Sequence, residues 1–207
     1  MKSPFSIEES LRFGWKKTRT HSVLLFKIIL TLFGLQVAYA IVGKVLAYTI
    51  TGGLASLAII IAELVVGVGF TLVTLKIAKG EHVEYTDVMP PPKLVWEYTI
   101  ASVLAGLLIA LGFILLIIPG FYFALRFSMM RFAVLEGAGI MGSLEKSGKL
   151  TEGVKWRLLG FLITIGLLNA LGALLLGVGL LITVPVSMIA YAHVYQKLHA
   201  HHHPHHA

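Results

Sequence analysis

Residues 158–195 are almost wholly apolar. As one helix they would reach roughly 57 Å at 1.5 Å per residue, nearly twice the hydrocarbon thickness of a bilayer. The stretch therefore has to fold back, and Gly177-Val178-Gly179 supplies the bend. The same reasoning applies upstream. Residues 104–131 form an apolar run interrupted by Pro119-Gly120 and resumed with Arg126 and Arg131. A single helix over residues 99–135 would reach roughly 55 Å, so Pro119-Gly120 is read as a turn between two crossings. Thr51-Gly52-Gly53 divides the first long apolar region in the same way. Six spans result, at about residues 23–42, 54–75, 99–118, 121–135, 158–176 and 180–195.

Composition points to the same solvent. Apolar residues make up 57% of the 207-residue chain and charged residues only 13%, against about 25% charged in ordinary soluble domains. The net charge of +7 would suit a nucleic-acid partner, but the cations sit at the ends of apolar runs. Topology bias and anionic lipid headgroups explain that placement, so the partners expected are membrane lipids and not nucleic acid. Lys16, Lys17 and Arg19 precede the first span. Lys76, Lys79 and Lys93 lie between the second and third, and Lys146, Lys149, Lys155 and Arg157 between the fourth and fifth. Lys197 follows the sixth, while the opposite turns hold only Lys44. Both termini are thus expected in the cytoplasm. Glu8 and Glu9 come early and the first apolar run starts only near Val23, which reads as an uncleaved anchor and not a signal peptide. There is no cysteine, hence no disulfide, thiolate metal site or cysteine nucleophile.

Ser6-Ile7-Glu8-Glu9 has the form of a capping box and opens a predicted helix over residues 7–19. Ile7, Leu11, Gly14 and Trp15 share one face of it, and Lys16, Lys17 and Arg19 close it, a pattern suited to a helix in the membrane interface. Pro90-Pro91-Pro92 stiffens the connection before the third span, and Trp96, Trp156 and Arg157 are read as further interface residues. The segment Ile140-x-x-Ser143-Leu144-x-x-Ser147-x-Lys149-x-Thr151 repeats Ile7-x-x-Ser10-Leu11-x-x-Gly14-x-Lys16-x-Thr18. Each copy is followed by basic residues and a two-span hairpin, so the copies are expected to be parallel repeats about the membrane normal.

The fold class expected is all-α: a helical membrane bundle of six transmembrane helices, two cytoplasmic interfacial helices and a parallel internal repeat. One transmembrane domain covers residues 1–198. Its first repeat spans about 6–80, a central hairpin about 81–138 and its second repeat about 139–198. A disordered His-rich tail, residues 199–207, follows.

Gly14-Trp15-Lys16, the run Leu115-Leu116-Ile117-Ile118-Pro119-Gly120 with Arg126 after it, Ser147-x-x-x-Thr151-x-Gly153 and the ending Tyr195-x-Lys197-Leu198 carry a resemblance. Across nearly the whole chain they are similar to a broad group of uncharacterised prokaryotic multi-span membrane proteins. That group includes domain-of-unknown-function families and the membrane domain attached to some bacterial glycerophosphodiester phosphodiesterases. The resemblance implies location and architecture. No phosphodiesterase domain is present, so it implies no catalysis.

Candidate chemistry is sparse. Glu63 and Arg126 fall at similar depth inside their spans, where an ionisable group costs about 2.5–3.5 kcal/mol and seeks a partner. With Asn169 they form the expected intramembrane polar site, either a structural ion pair or a place for a substrate, ion or proton. Gly137-Ala138-Gly139-Ile140-Met141-Gly142 matches a dinucleotide fingerprint in letters only, since no strand, second strand or distal acid accompanies it. His201, His202, His203, His205 and His206 are weak candidates for metal binding. No cofactor and no catalytic residue is expected: Ser128 is the only hydroxyl nucleophile near Arg126 on its span and has no evident base. The leading functional expectation is a non-enzymatic membrane protein that organises lipid or a partner protein, a second copy of itself included. The alternative is a small transporter or channel working at Glu63 and Arg126.

Overall fold

The computed structural model describes residues 4–45, 49–175 and 177–202, and all regular structure among them is helical. Helix α1 covers Ile7–Thr20, α2 Ser22–Val45, α3 Ile50–Lys79 and α4 Pro92–Leu115, with a 3-10 turn at Tyr85–Val88 before α4. Then come α5 at Ile117–Arg126, α6 at Met130–Leu135, α7 at Gly139–Leu150, α8 at Lys155–Leu174 and α9 at Leu180–His202. Among the described residues five segments are long and apolar enough to cross a membrane: α2, α3, α4, the α5–α6 stretch Ile117–Leu135, and α8. Helix α9, where a sixth span is expected, is not among them. It carries Ser187, Tyr191, His193, Tyr195 and Gln196 and is buried along much of its length.

Several boundaries follow local chemistry. Ser6 caps α1, its hydroxyl accepting from the Glu9 amide at 3.4 Å. The reciprocal arm of the expected box is spent elsewhere, because the Glu9 carboxylate pairs with Lys197 at 3.0 Å. Gly80, at φ +77°, ends α3 and donates its amide to the Ile77 carbonyl. Pro92 starts α4, where a missing N–H costs nothing.

Two expected turns move. Gly52 and Gly53 lie inside α3, whose cap is Thr49, accepting from the Gly52 amide at 3.0 Å. Residues 46–48, between α2 and Thr49, lie outside the described residues. Leu116, not Pro119-Gly120, is the turn between α4 and α5, and Pro119 sits in the first turn of α5. Proline fits there because a first-turn amide has no intrahelical acceptor. Gly177 bends the chain as expected, at φ +77°. The tail expected to be disordered from residue 199 continues α9 through His202; residues 203–207 lie outside the described residues.

The packing has a recurring form. Helix α1 rests on α9, the Tyr85–Val88 turn on α3, and α7 on α6. A Cβ on Gly14 would meet the Val186 carbonyl and Ala190, and one on Gly69 would run into the Val88 backbone. On α7 the corresponding work falls to a hydroxyl. The Ser147 hydroxyl donates to the Arg126 carbonyl at 2.7 Å and accepts from the Met129 amide at 3.1 Å. These are the backbone groups left over by the α5–α6 break, and a break among apolar helices stands only where such groups find partners. The buried face of α1 is thus Ser10, Gly14 and Thr18, whereas Trp15 is half exposed. The face expected to dip into the interface is instead divided between protein and surroundings. Leu25 and Ile28 of α2 and Leu158 and Phe161 of α8 are fully buried, as are Phe132 of α6 and Tyr195 of α9.

Candidate functional site

The ends of α3 and α6 and the C-terminal half of α9 converge on one carboxylate. Glu136 follows α6, held by the turn at Gly137, φ +83°. Lys79 reaches it at 2.8 Å and Lys146 at 2.9 Å. The Tyr195 hydroxyl donates to it at 2.5 Å and the Gln196 amide at 3.3 Å. Its side chain is only 11% exposed. Burial works to raise the Glu136 carboxyl, but the hydrogen bonds from Lys79, Tyr195 and Lys146 outweigh it and lower it from 4.5 to about 2. Ionised and bonded from several sides, Glu136 ties these elements together as a clamp. Sequence reasoning used Lys79 and Lys146 for topology and missed the acid between them. The only signal was a lone glutamate directly after a span.

The expected polar site does not assemble. Glu63 has a buried carboxylate oxygen without a hydrogen-bond partner, and no ion pair joins it to Arg126 among the described residues. Arg126 is exposed and turned toward α7. Its Nη1 donates to the Tyr122 hydroxyl at 3.4 Å, and a Cβ on Gly148 would lie 3.1 Å from its Nε. Asn169 instead accepts from the Ser187 hydroxyl at 3.2 Å. The three residues thus have separate surroundings: Glu63 is without a hydrogen-bond partner at its buried oxygen, Arg126 is with Tyr122 and Asn169 is with Ser187.

The interface residues fare differently. Trp15, Trp96 and Trp156 are all exposed. Among the described residues seven cations toward this polar end are paired with acids: Lys79 and Lys146 with Glu136, Lys197 with Glu9, Arg12 with Glu8, Lys76 with Asp87, Lys93 with Glu97 and Lys149 with Glu145. Two corners have no carboxylate at ion-pair distance among the described residues. One holds Lys16, Lys17 and Arg19. The other holds Arg126, Lys155 and Arg157, with the Lys155 ammonium 4.0 Å above the Tyr122 ring and Arg157 over Phe5.

A cavity of about 500 Å³ lies among α4, the α5–α6 break, α8 and α9. Tyr98, Ser102, Ser128 and Tyr191 line it with Arg131, which has no carboxylate partner among the described residues. The Tyr191 hydroxyl donates to the Ser128 carbonyl at 2.7 Å, and the Ser128 hydroxyl donates to the Leu125 carbonyl. No histidine or carboxylate lines this space, so Ser128 has no base there. Among the described residues no group of three or more His, Asp or Glu is placed to hold a metal; His203, His205 and His206 lie outside them. No family model, curated protein or solved structure matches this chain.

Proposed function

We propose that this chain is a non-enzymatic integral membrane protein that gathers anionic lipid at the cytoplasmic face through its two basic corners. The observation that carries this reading is the uneven pairing of charge. Acids neutralise seven cations at the polar end, while Lys16, Lys17, Lys155 and Arg157, next to the exposed Trp15 and Trp156, have no acid at ion-pair distance among the described residues. Bare cations at that depth attract anionic headgroups by about 1 kcal/mol each. In this reading the chain crosses six times, α9 included, with both termini cytoplasmic and with α1 and α7 at the interface. The internal repeat belongs to it too. Gly14 and Ser147 are small residues at the same place in the repeat, each where a short helix rests on the last helix of another hairpin. Val88 on Gly69 extends the pattern to the central hairpin.

The topology is testable because the chain is cysteine-free. Single cysteines at Ile50 and Val178, both exposed, are expected to react with a membrane-impermeant maleimide from outside intact cells. One at His201 is expected to react only after lysis. Labelling of all three from the same side would end the six-span reading.

The lipid reading is tested by extracting the protein with its surrounding lipid into polymer discs. Anionic phospholipid is expected to be enriched over the bulk membrane. The K16Q/K17Q/R19Q variant is expected to lose a large share of that enrichment. Wild-type discs with bulk composition would refute the reading.

The second reading, a small transporter, rests on the cavity at Arg131 and not on Glu63 and Arg126. It predicts Arg131-dependent anion flux in proteoliposomes. The Glu136 clamp, which ties together the helix ends at the polar face, favours the first reading.

A further inference from the structure

The corner of Arg126 and Lys155 stands at the end of an apolar groove. Between α5 and α8 a groove of about 410 Å³ is walled by Ile118, Phe121, Leu125, Trp156 and Leu159, with Tyr122 and Lys155 at its basic end. Trp156 and Ile118 are more than four-fifths exposed, so none of the described residues covers it. Between α2 and the start of α9 a groove of about 660 Å³ is walled by Phe26, Leu30, Ile182 and Pro185, with Lys27 on its rim. The two are placed alike. Each lies beside the helix that follows a docked short helix, α8 after α7 and α2 after α1.

Resting on the lipid-gathering reading above, we propose that the α5–α8 groove is a site for one anionic glycerophospholipid. Its phosphate sits on Arg126 and Lys155, and one acyl chain lies along the groove toward Ile118. Charge complementarity carries this. Arg126 and Lys155 both address Tyr122, one through its hydroxyl at 3.4 Å and the other over its ring at 4.0 Å, which brings two cations within reach of one headgroup. Neither has a carboxylate at ion-pair distance among the described residues. Gly148 leaves the space that the Arg126 guanidinium occupies, so the cation is held at the groove end by the fold and not by a counter-ion. An uncharged lipid would satisfy the apolar wall alone and leave both cations facing hydrocarbon or water. A free phosphate would leave the wall bare.

The test uses the full chain in nanodiscs with phosphatidylglycerol bearing a photoreactive acyl chain, the cross-links being mapped by mass spectrometry. Cross-links are expected on Tyr122, Trp156 and Leu159. Competition by unlabelled phosphatidylglycerol in the R126Q/K155Q variant should be about thirty-fold weaker, about five-fold for each basic side chain. A phosphatidylcholine probe should label both proteins equally. The Leu159→Trp variant keeps both charges and fills the groove, so it should lose chain cross-links without losing fold, read by thermal unfolding. Labelling confined to the corner of Lys16, Lys17 and Arg19, with anionic enrichment intact, overturns this site and leaves the broader reading standing. No preference for phosphatidylglycerol anywhere overturns both.

Discussion

Glu136→Gln is expected to lower the unfolding free energy in mixed micelles by about 2–3 kcal/mol, just under the range for a wholly buried pair with one partner removed. The amide keeps the shape and one acceptor oxygen. It loses the charge that Lys79 and Lys146 share, and its NH2 presents a donor to a donor. Both lysines are a quarter to a third exposed, so water recovers part of the loss. Glu145→Gln is the control. Its pair with Lys149 is about 70% exposed on both sides, and exposed pairs contribute about 0–1 kcal/mol. The two variants should therefore separate clearly.

Acid should do to the wild type what the substitution does. The folded-state carboxyl lies at about 2 against an ordinary 4.5, so the unfolded chain takes up the proton first as pH falls. The clamp's contribution is whole above about pH 5 and is lost between about 4.5 and 2. Glu136→Gln should lack that part of the pH dependence. Identical acid profiles for wild type and variant would show that Glu136 is not what holds the helix ends together.

Gly69→Val should cost about 3 kcal/mol, the upper range for overpacking. A Cβ there meets three backbone atoms of Val88, and backbone cannot swing aside as a side-chain tip can. The connection after α3 has to lift. That uncovers Val88, which is 2% exposed, and opens the Lys76–Asp87 pair, now at 2.6 Å. Trypsin should then cut after Lys79 faster than in the wild type. Gly67→Ala, two residues away with open space around it, should be neutral or stabilising by up to about 1 kcal/mol through helix propensity. Equal effects at the two glycines would rule out the close approach as the cause.

Much of the helical layout was legible in the chain. Length against bilayer thickness forces the long apolar runs to fold back, and Ser6, Gly80 and Gly177 mark ends by chemistry confined to a few neighbouring residues. Pro119-Gly120 misled because proline suits a first helical turn as well as a bend, so local rules allow both. The α5–α6 break has neither glycine nor proline at residues 127–129 to announce it. Ser147, twenty-one positions downstream of Arg126, makes it affordable.

What the sequence determined by itself is the all-helical architecture, the apolar character of the long helices and the gathering of basic residues at their ends, because these depend on rise per residue and on transfer of side chains from water. What only the tertiary structure decided is which charges meet. Depth adds up steadily along a helix, but azimuth turns by about 100° per residue. Counting residues along a span therefore could not tell whether Glu63 and Arg126 meet, and among the described residues no ion pair joins them. Glu136 gains its partners only because the ends of two helices, the C-terminal half of a third and a lysine of a fourth arrive at one place.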